Sequence, residues 1–394
     1  MPSERPSRIY LDHAATTPLC PEARDAMLPW LTDGFGNPSS LHAEGRRAKD
    51  AIDSARETLS NALECLFAEV LFTSGGTEAA NLAILGAALN NIGSRRNRVL
   101  IGASEHHCVL NTAGTLRSLG FRPELIQVDR EARLDLNALG DALGDDVLLV
   151  SCMHANNEFG SINPIRQIAD LAHRYGALLH TDAVQTFQAL GMRWTVSDLD
   201  ADLVTVSAHK LYGPKGAGAI YNRAGIKLKP LVTGGGQERE MRGGTENTAA
   251  IAGFGAAAAR TPAASDVRKL RDSFVERLTA VGAVPSVNSW DNVLPTHAHV
   301  RFPEIDAETM LIVLDRLGVS ASSGAACSSG SIEPSHVLLA AGYSEIEAKE
   351  GLRFSLGRST TFADIEDATN RVTEAVNQIR GVSRTLRGRV LGVS

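Results

Sequence analysis

Lys210 closes the β-rich run Leu203-Val-Thr-Val-Ser-Ala-His-Lys210, just before a Gly/Pro-containing turn. A lysine amine past a strand end can hold a Schiff-base cofactor, although taken alone a solvated loop lysine is the plainer reading. Such a cofactor also needs an anion cradle, a partner for its ring nitrogen and a group over its ring face. Thr73-Ser-Gly-Gly-Thr-Glu78 stands between a strand and a helix, so backbone N–H groups there and the Thr77 hydroxyl form a possible anion site. The alternative is an ordinary turn capped by Thr77, and the pattern is neither a Walker loop nor a dinucleotide fingerprint. Asp182, in His180-Thr-Asp-Ala-Val-Gln185, ends a strand where a carboxylate can pair with a protonated ring nitrogen while Gln185 reaches a ring hydroxyl; a helix N-cap is the alternative. His106, in Ser104-Glu-His-His107, could stack on a ring or move a proton, against an ordinary loop histidine.

Arg353, in Leu352-Arg-Phe-Ser355, offers a planar fork suited to a substrate carboxylate, with a structural ion pair as the alternative. Cys327 sits within the small-residue run 320–331, which cannot pack a core and is expected to form a mobile, polar loop around the thiol. The five cysteines are far apart and form no Cys-x-x-Cys pair, so no disulfide framework and no structural metal are expected.

The elements that must position these residues follow from periodicity. Short apolar β-rich runs at 70–73, 99–103, 147–153, 177–181, 203–207 and 219–221 alternate with helical stretches such as 77–90 and 164–175. That alternation predicts a mainly parallel α/β sheet with functional residues at its strand ends. An Ala-rich helix at 249–260 leads to a boundary at 261–265 containing Pro262. A second module follows, with helices at 267–281, 307–317 and 364–379 and strands near 296–302 and 351–355. The chain of 394 residues is long enough for a large and a smaller domain. A net charge of -6 gives no electrostatic case for nucleic acid or an anionic membrane, and a small-molecule substrate is expected. No apolar run approaches a membrane span and the first ten residues are polar, so a cytoplasmic protein is expected.

In order along the chain, these segments resemble the cysteine desulfurase family of pyridoxal-phosphate enzymes, within the class-V aminotransferases. The resemblance runs through Tyr10-Leu-Asp-His-Ala-Ala-Thr-Thr-Pro18, Gly36-Asn-Pro-Ser-Ser-Leu-His42, His154-Ala-Asn-Asn-Glu-Phe-Gly160, Ser207-Ala-His-Lys210, Arg242-Gly-Gly-Thr-Glu-Asn247 and Ser323-Gly-Ala-Ala-Cys-Ser-Ser-Gly-Ser-Ile-Glu-Pro-Ser-His336. It implies a fold-type-I architecture. A large domain with a seven-stranded, mainly parallel sheet would occupy 16–260, and a smaller α+β domain would take 1–15 and 261–394, with the cysteine loop at about 320–335. By the resemblance Lys210 holds pyridoxal 5'-phosphate covalently, Asp182 pairs with its ring nitrogen, Gln185 bonds its ring oxygen and His106 stacks on it. Gly76, Thr77, Ser207 and His209 surround the phosphate, and Thr245 reaches the phosphate of a second subunit, which implies a homodimer. Asn157 and Arg353 take the carboxylate of L-cysteine.

The implied reaction converts L-cysteine to L-alanine. Lys210 moves the α-proton and Cys327 attacks the substrate sulfur, keeping it as a persulfide for an acceptor such as an iron-sulfur scaffold. The loop length resembles the branch that hands sulfur directly to scaffolds. His107 replaces a frequent lysine of the family, Gly76 a frequent alanine and Ala79-Ala80 a frequent polar pair, and the tail 381–394 shows no clear match to tails that dock scaffolds. Selenocysteine lyase, cysteine sulfinate desulfinase, an aminotransferase and a non-catalytic sulfur-transfer platform are the competing readings.

Overall fold

The computed structural model describes residues 8–260, 266–324 and 334–390. The expected boundary at 261–265 and Cys327 itself lie outside the described residues. Twelve strands appear among those described: β1 (Ile9–Tyr10), β2 (Val70–Thr73), β3 (Arg98–Gly102), β4 (Arg122–Ile126), β5 (Val147–Ser151), β6 (Leu178–Asp182), β7 (Leu203–Ser207), β8 (Gly218–Asn222), β9 (Val284–Pro285), β10 (His297–Arg301), β11 (Val319–Ser320) and β12 (Gly351–Ser355).

The expected seven-stranded sheet is present, in the order β2-β8-β7-β6-β5-β3-β4. Only β8 runs against its neighbours. The inner strands β5 and β7 are buried along their whole length, because helices cover both faces of a parallel sheet. One face carries the core around Ile52, Leu59, Val204 and Phe254; on the other, Leu82 and Ile84 of the helix Gly76–Asn90 cluster with Ile101 of β3. β4 is the strand that periodicity misses, since Pro123 and Glu124 interrupt the apolar pattern. It stands at the sheet edge, where an absent N–H donor and a charged side chain are tolerated.

Helix Ala43–Leu63 is held to β2 by a buried ion pair. Both Arg56 terminal nitrogens bond Glu238, at 2.8 and 2.6 Å, and Glu238 also takes the Phe72 N–H at 2.8 Å. The other sheets are smaller. β12, β10 and β9 form an antiparallel sheet packed against helices Val267–Ala280, Ala307–Arg316 and Phe362–Val390, and β1 pairs with β11. The last helix runs past its expected end at 379 and through Gly381, because one glycine costs about 1 kcal/mol and does not by itself stop a helix. Among the described residues no helix is long and apolar enough to cross a membrane.

Candidate functional site

Parallel pairing aims the C-terminal ends of β3, β5, β6 and β7 at one edge of the sheet. The residues just beyond them surround a cavity of about 480 Å³. Gly76, Thr77, His106, Asn157, Asp182, Gln185, Ser207, His209, Lys210 and Arg353 all line it, although they span nearly 280 positions of sequence. Thr245 does not; it is exposed in the 243–247 turn of the same chain.

Lys210 sits on a single helical turn immediately after β7, and its Nζ donates to the carbonyls of Ala14 and Ala15 at 2.5 and 3.0 Å. Burial lowers its pKa to about 8, with Arg353 acting in the same direction and Asp182 and Asp12 opposing. Asp182 ends β6 rather than capping a helix, and its Oδ1 accepts the Val184 N–H at 3.0 Å. Burial raises it to about 6, moderated by that hydrogen bond and by Lys210, so it is anionic at neutral pH. Gln185 Nε2 donates to the Ala14 carbonyl at 3.0 Å.

His106 caps the short helix His107–Leu110, accepting the Cys108 N–H at Nδ1, 3.1 Å away. Burial first, then the Lys210 charge, lowers it to about 4, which leaves a neutral ring with its proton on Nε2. His209 is lowered to about 4 by burial and then by Lys210. Thr77 is not the helix cap: Gly75 holds that position without a side-chain cap, so the first N–H groups of helix Gly76–Asn90 are free toward the cavity.

Arg353, 4% exposed, makes the structural ion pair raised as its alternative. Its Nη2 pairs with Asp12 at 2.7 Å and its Nη1 bonds the Asn157 carbonyl at 2.8 Å, yet it lines the cavity with its Nε unpartnered. Asp12 and the carbonyls of Ala14 and Ala15 are site components that residue-by-residue reasoning missed. Their only signal was the Tyr10 to Pro18 motif, which carries no strand or helix pattern of its own. Buried Glu105 was missed too: burial and the nearby Asp182 raise it to about 8, keeping it a neutral acid behind His106.

The Aminotransferase class-V family profile matches residues 9–367. The chain belongs to the class-V aminotransferases. Within that family, the chain is 41% identical to cysteine desulfurase IscS of Dictyoglomus turgidum over 95% of its own length and 96% of that protein. It is 37% identical to cysteine desulfurase IscS 1 of Archaeoglobus fulgidus, covering 96% and 99%. Among solved structures, a NifS-like protein superposes with a TM-score of 0.87 at 31% identity, covering 94% of this chain and 99% of the other. A structure of SspA in complex with cysteine gives 0.79 at 36%, covering 88% and 98%.

This class-V aminotransferase is pyridoxal-phosphate-dependent, and its residues fit that group. The Ser207 Oγ is buried without a hydrogen-bond partner at the cavity wall, beside the uncapped helix start. Gly76 keeps that corner open, since a Cβ there would stand 3.0 Å from Val184 Cγ1 and 3.5 Å from Ser207 Cβ. Hydroxyl and backbone donors at a helix N-terminus suit a phosphate, and an anionic aspartate with a depressed lysine suits a ring nitrogen and an aldehyde carbon.

Proposed function

We propose that this protein is a cysteine desulfurase that converts L-cysteine to L-alanine and passes the sulfur, through a persulfide on Cys327, to an acceptor for iron-sulfur cluster or thio-cofactor synthesis. The observation that carries the reading is the convergence of Lys210, Asp182, His106 and Arg353 on one cavity in a chain similar to named cysteine desulfurases along almost its whole length.

When bound, pyridoxal 5'-phosphate supplies a sink for the electron pair left on Cα. Lys210 would hold it covalently. The anionic Asp182 would pair with its ring nitrogen, Gln185 would bond the ring oxygen, and His106 would meet the ring as a neutral imidazole. Gly76, Thr77, Ser207 and His209 would hold the phosphate. Arg353 and Asn157 orient the substrate carboxylate, and the amine of Lys210, with its lowered pKa, is able to take the α-proton near neutral pH. The Cys327 thiolate then bonds to the substrate sulfur. The electron pair of the broken Cβ–S bond stays with the carbon skeleton, and a proton completes alanine.

Thr245, exposed and outside the lining of its own chain's cavity, fits a role at the phosphate of a second subunit, so the reading includes a homodimer with shared sites. The reading also includes a cytoplasmic protein with domains at 16–260 and at 1–15 plus 261–394. The separate cores around the seven-stranded and three-stranded sheets support that division. Ser322 and Gly324 line the cavity and lead into the segment that bears Cys327, which supports a role for that thiol at the site.

Purified protein given L-cysteine and a thiol reductant should release alanine and sulfide in equal amounts. A Cys327→Ala variant should keep its cofactor absorbance and lose both products. Selenocysteine and cysteine sulfinate, assayed alongside, separate this reading from the neighbouring lyases; an unimpaired Cys327→Ala variant would return it to the aminotransferases.

A further inference from the structure

Residues 325–333, which include Cys327, are joined to the described structure by stems at 322–324 and 334–335. One buried side chain meets both stems. Glu158, 1% exposed, accepts the Ser335 hydroxyl at 2.5 Å. Across from it, a Cβ built on Gly324 would stand 2.6 Å from the Cγ, Cδ and Oε2 of Glu158, so the glycine backbone lies directly against that carboxylate. Gly324 has φ +80°, a conformation that favours glycine.

The surroundings hold this arrangement in place. The Asn156 side chain accepts the N–H groups of Glu158 and Phe159, both at 2.9 Å, fixing the turn from which Glu158 projects. The first stem pairs through Ser322 with the backbone of Arg353, at 3.1 and 2.6 Å. In the second stem Ser335 caps the helix His336–Ala340, and His336 bonds the Glu105 carbonyl at 2.9 Å. Asn157, directly before Glu158, accepts from Arg353, so the carboxylate-binding candidates and the stem contacts share one turn.

We propose that Glu158 is a positioning residue for Cys327: by clasping both stems of the segment that carries the thiol, its side chain sets where the thiol begins its approach to the substrate sulfur. The inference rests on the desulfurase reading and adds to it a residue outside the lining of the cavity. A glutamate suits the task because its length spans from the Asn156 turn to both stems. Burial raises its pKa to about 7, against the Ser335 hydrogen bond and the Arg353 charge, and the Ser335 hydroxyl can bond either protonation state.

The test uses holoenzyme carrying Glu158→Ala, Glu158→Gln or Ser335→Ala. Three quantities are read: cofactor content and absorbance, the rate of Cys327 alkylation by iodoacetamide, and persulfide formed on Cys327 after one addition of L-cysteine. In Glu158→Ala the cofactor signals should stay at parental values while alkylation of Cys327 accelerates. Persulfide formation should slow by roughly tenfold or more, since misplacing a reacting group by an ångström costs up to about a hundredfold. Glu158→Gln should restore most of the rate. If Glu158→Ala does not fold, Ser335→Ala carries the same expectation from the other side of the clasp. A parent that desulfurates alongside folded variants with unchanged alkylation and persulfide rates overturns the assignment of Glu158 alone. A parent that forms no persulfide overturns the desulfurase reading and this one together.

Discussion

The amine of Lys210 is neutral above a pKa of about 8, and the neutral amine is the form that attacks an aldehyde. Cofactor-free protein should therefore capture pyridoxal 5'-phosphate at a rate that climbs with pH up to about 8 and then levels, followed by stopped-flow absorbance. A climb continuing toward the ordinary lysine value of 10.5 would mean that burial does not govern this amine. Asp182 is raised to about 6 and so keeps its charge at pH 7. Asp182→Asn removes that charge while keeping the shape. Desulfuration should fall by about 10²–10³-fold, the usual cost of deleting a preorganised electrostatic partner, with cofactor content measured in parallel. Legibility at this scale was uneven for a physical reason. Lys210, Asp182 and His106 each follow a strand whose apolar run announces it, whereas Asp12 and the Ala14 and Ala15 carbonyls come from an irregular segment that is shaped only by what it packs against.

At the scale of elements, the best-marked strands were those buried on both faces. β2, β7 and β12 fall where their β-branched and apolar runs place them. β4 escaped because, unlike the buried edge strand β2, it is largely exposed, so its composition is released from the apolar pattern. The Arg56–Glu238 pair was invisible in sequence, since its partners are 182 positions apart. Both side chains are at most 3% exposed, so Glu238→Ala strands a guanidinium in the interior. Removing one partner of a buried pair costs about 3–5 kcal/mol, and urea unfolding should show a loss of that size. A change well below 1 kcal/mol would mean that water reaches Arg56. The same variant frees the Phe72 N–H in β2, one strand end away from the Gly76 corner, so cofactor affinity should weaken with stability.

For the whole molecule, the proposed homodimer makes a prediction that one chain cannot. If Thr245 serves the partner's site, Lys210→Ala and Thr245→Ala chains should complement each other when mixed and reassociated. Each hybrid dimer then holds one site with both residues intact and one with neither. Activity of the mixture should exceed the sum of the two separate variants, and sedimentation should give twice the mass of one chain. No complementation in a mixture shown to contain hybrid dimers would place Thr245 outside the partner's site.

The sequence by itself determined the α/β alternation, the residue types that chemistry at a strand end requires, and the ordered motifs that mark the family. These are readable because strand period, turn chemistry and side-chain reactivity are properties of a few adjacent residues. Only the tertiary structure decided that Arg353 is held by Asp12 and Asn157, that Glu105 lies buried as a neutral acid behind His106, and that Glu158 touches both stems around Cys327. Those facts depend on burial and on pairs more than 150 positions apart, where desolvation and distance, rather than residue type, set what each group does.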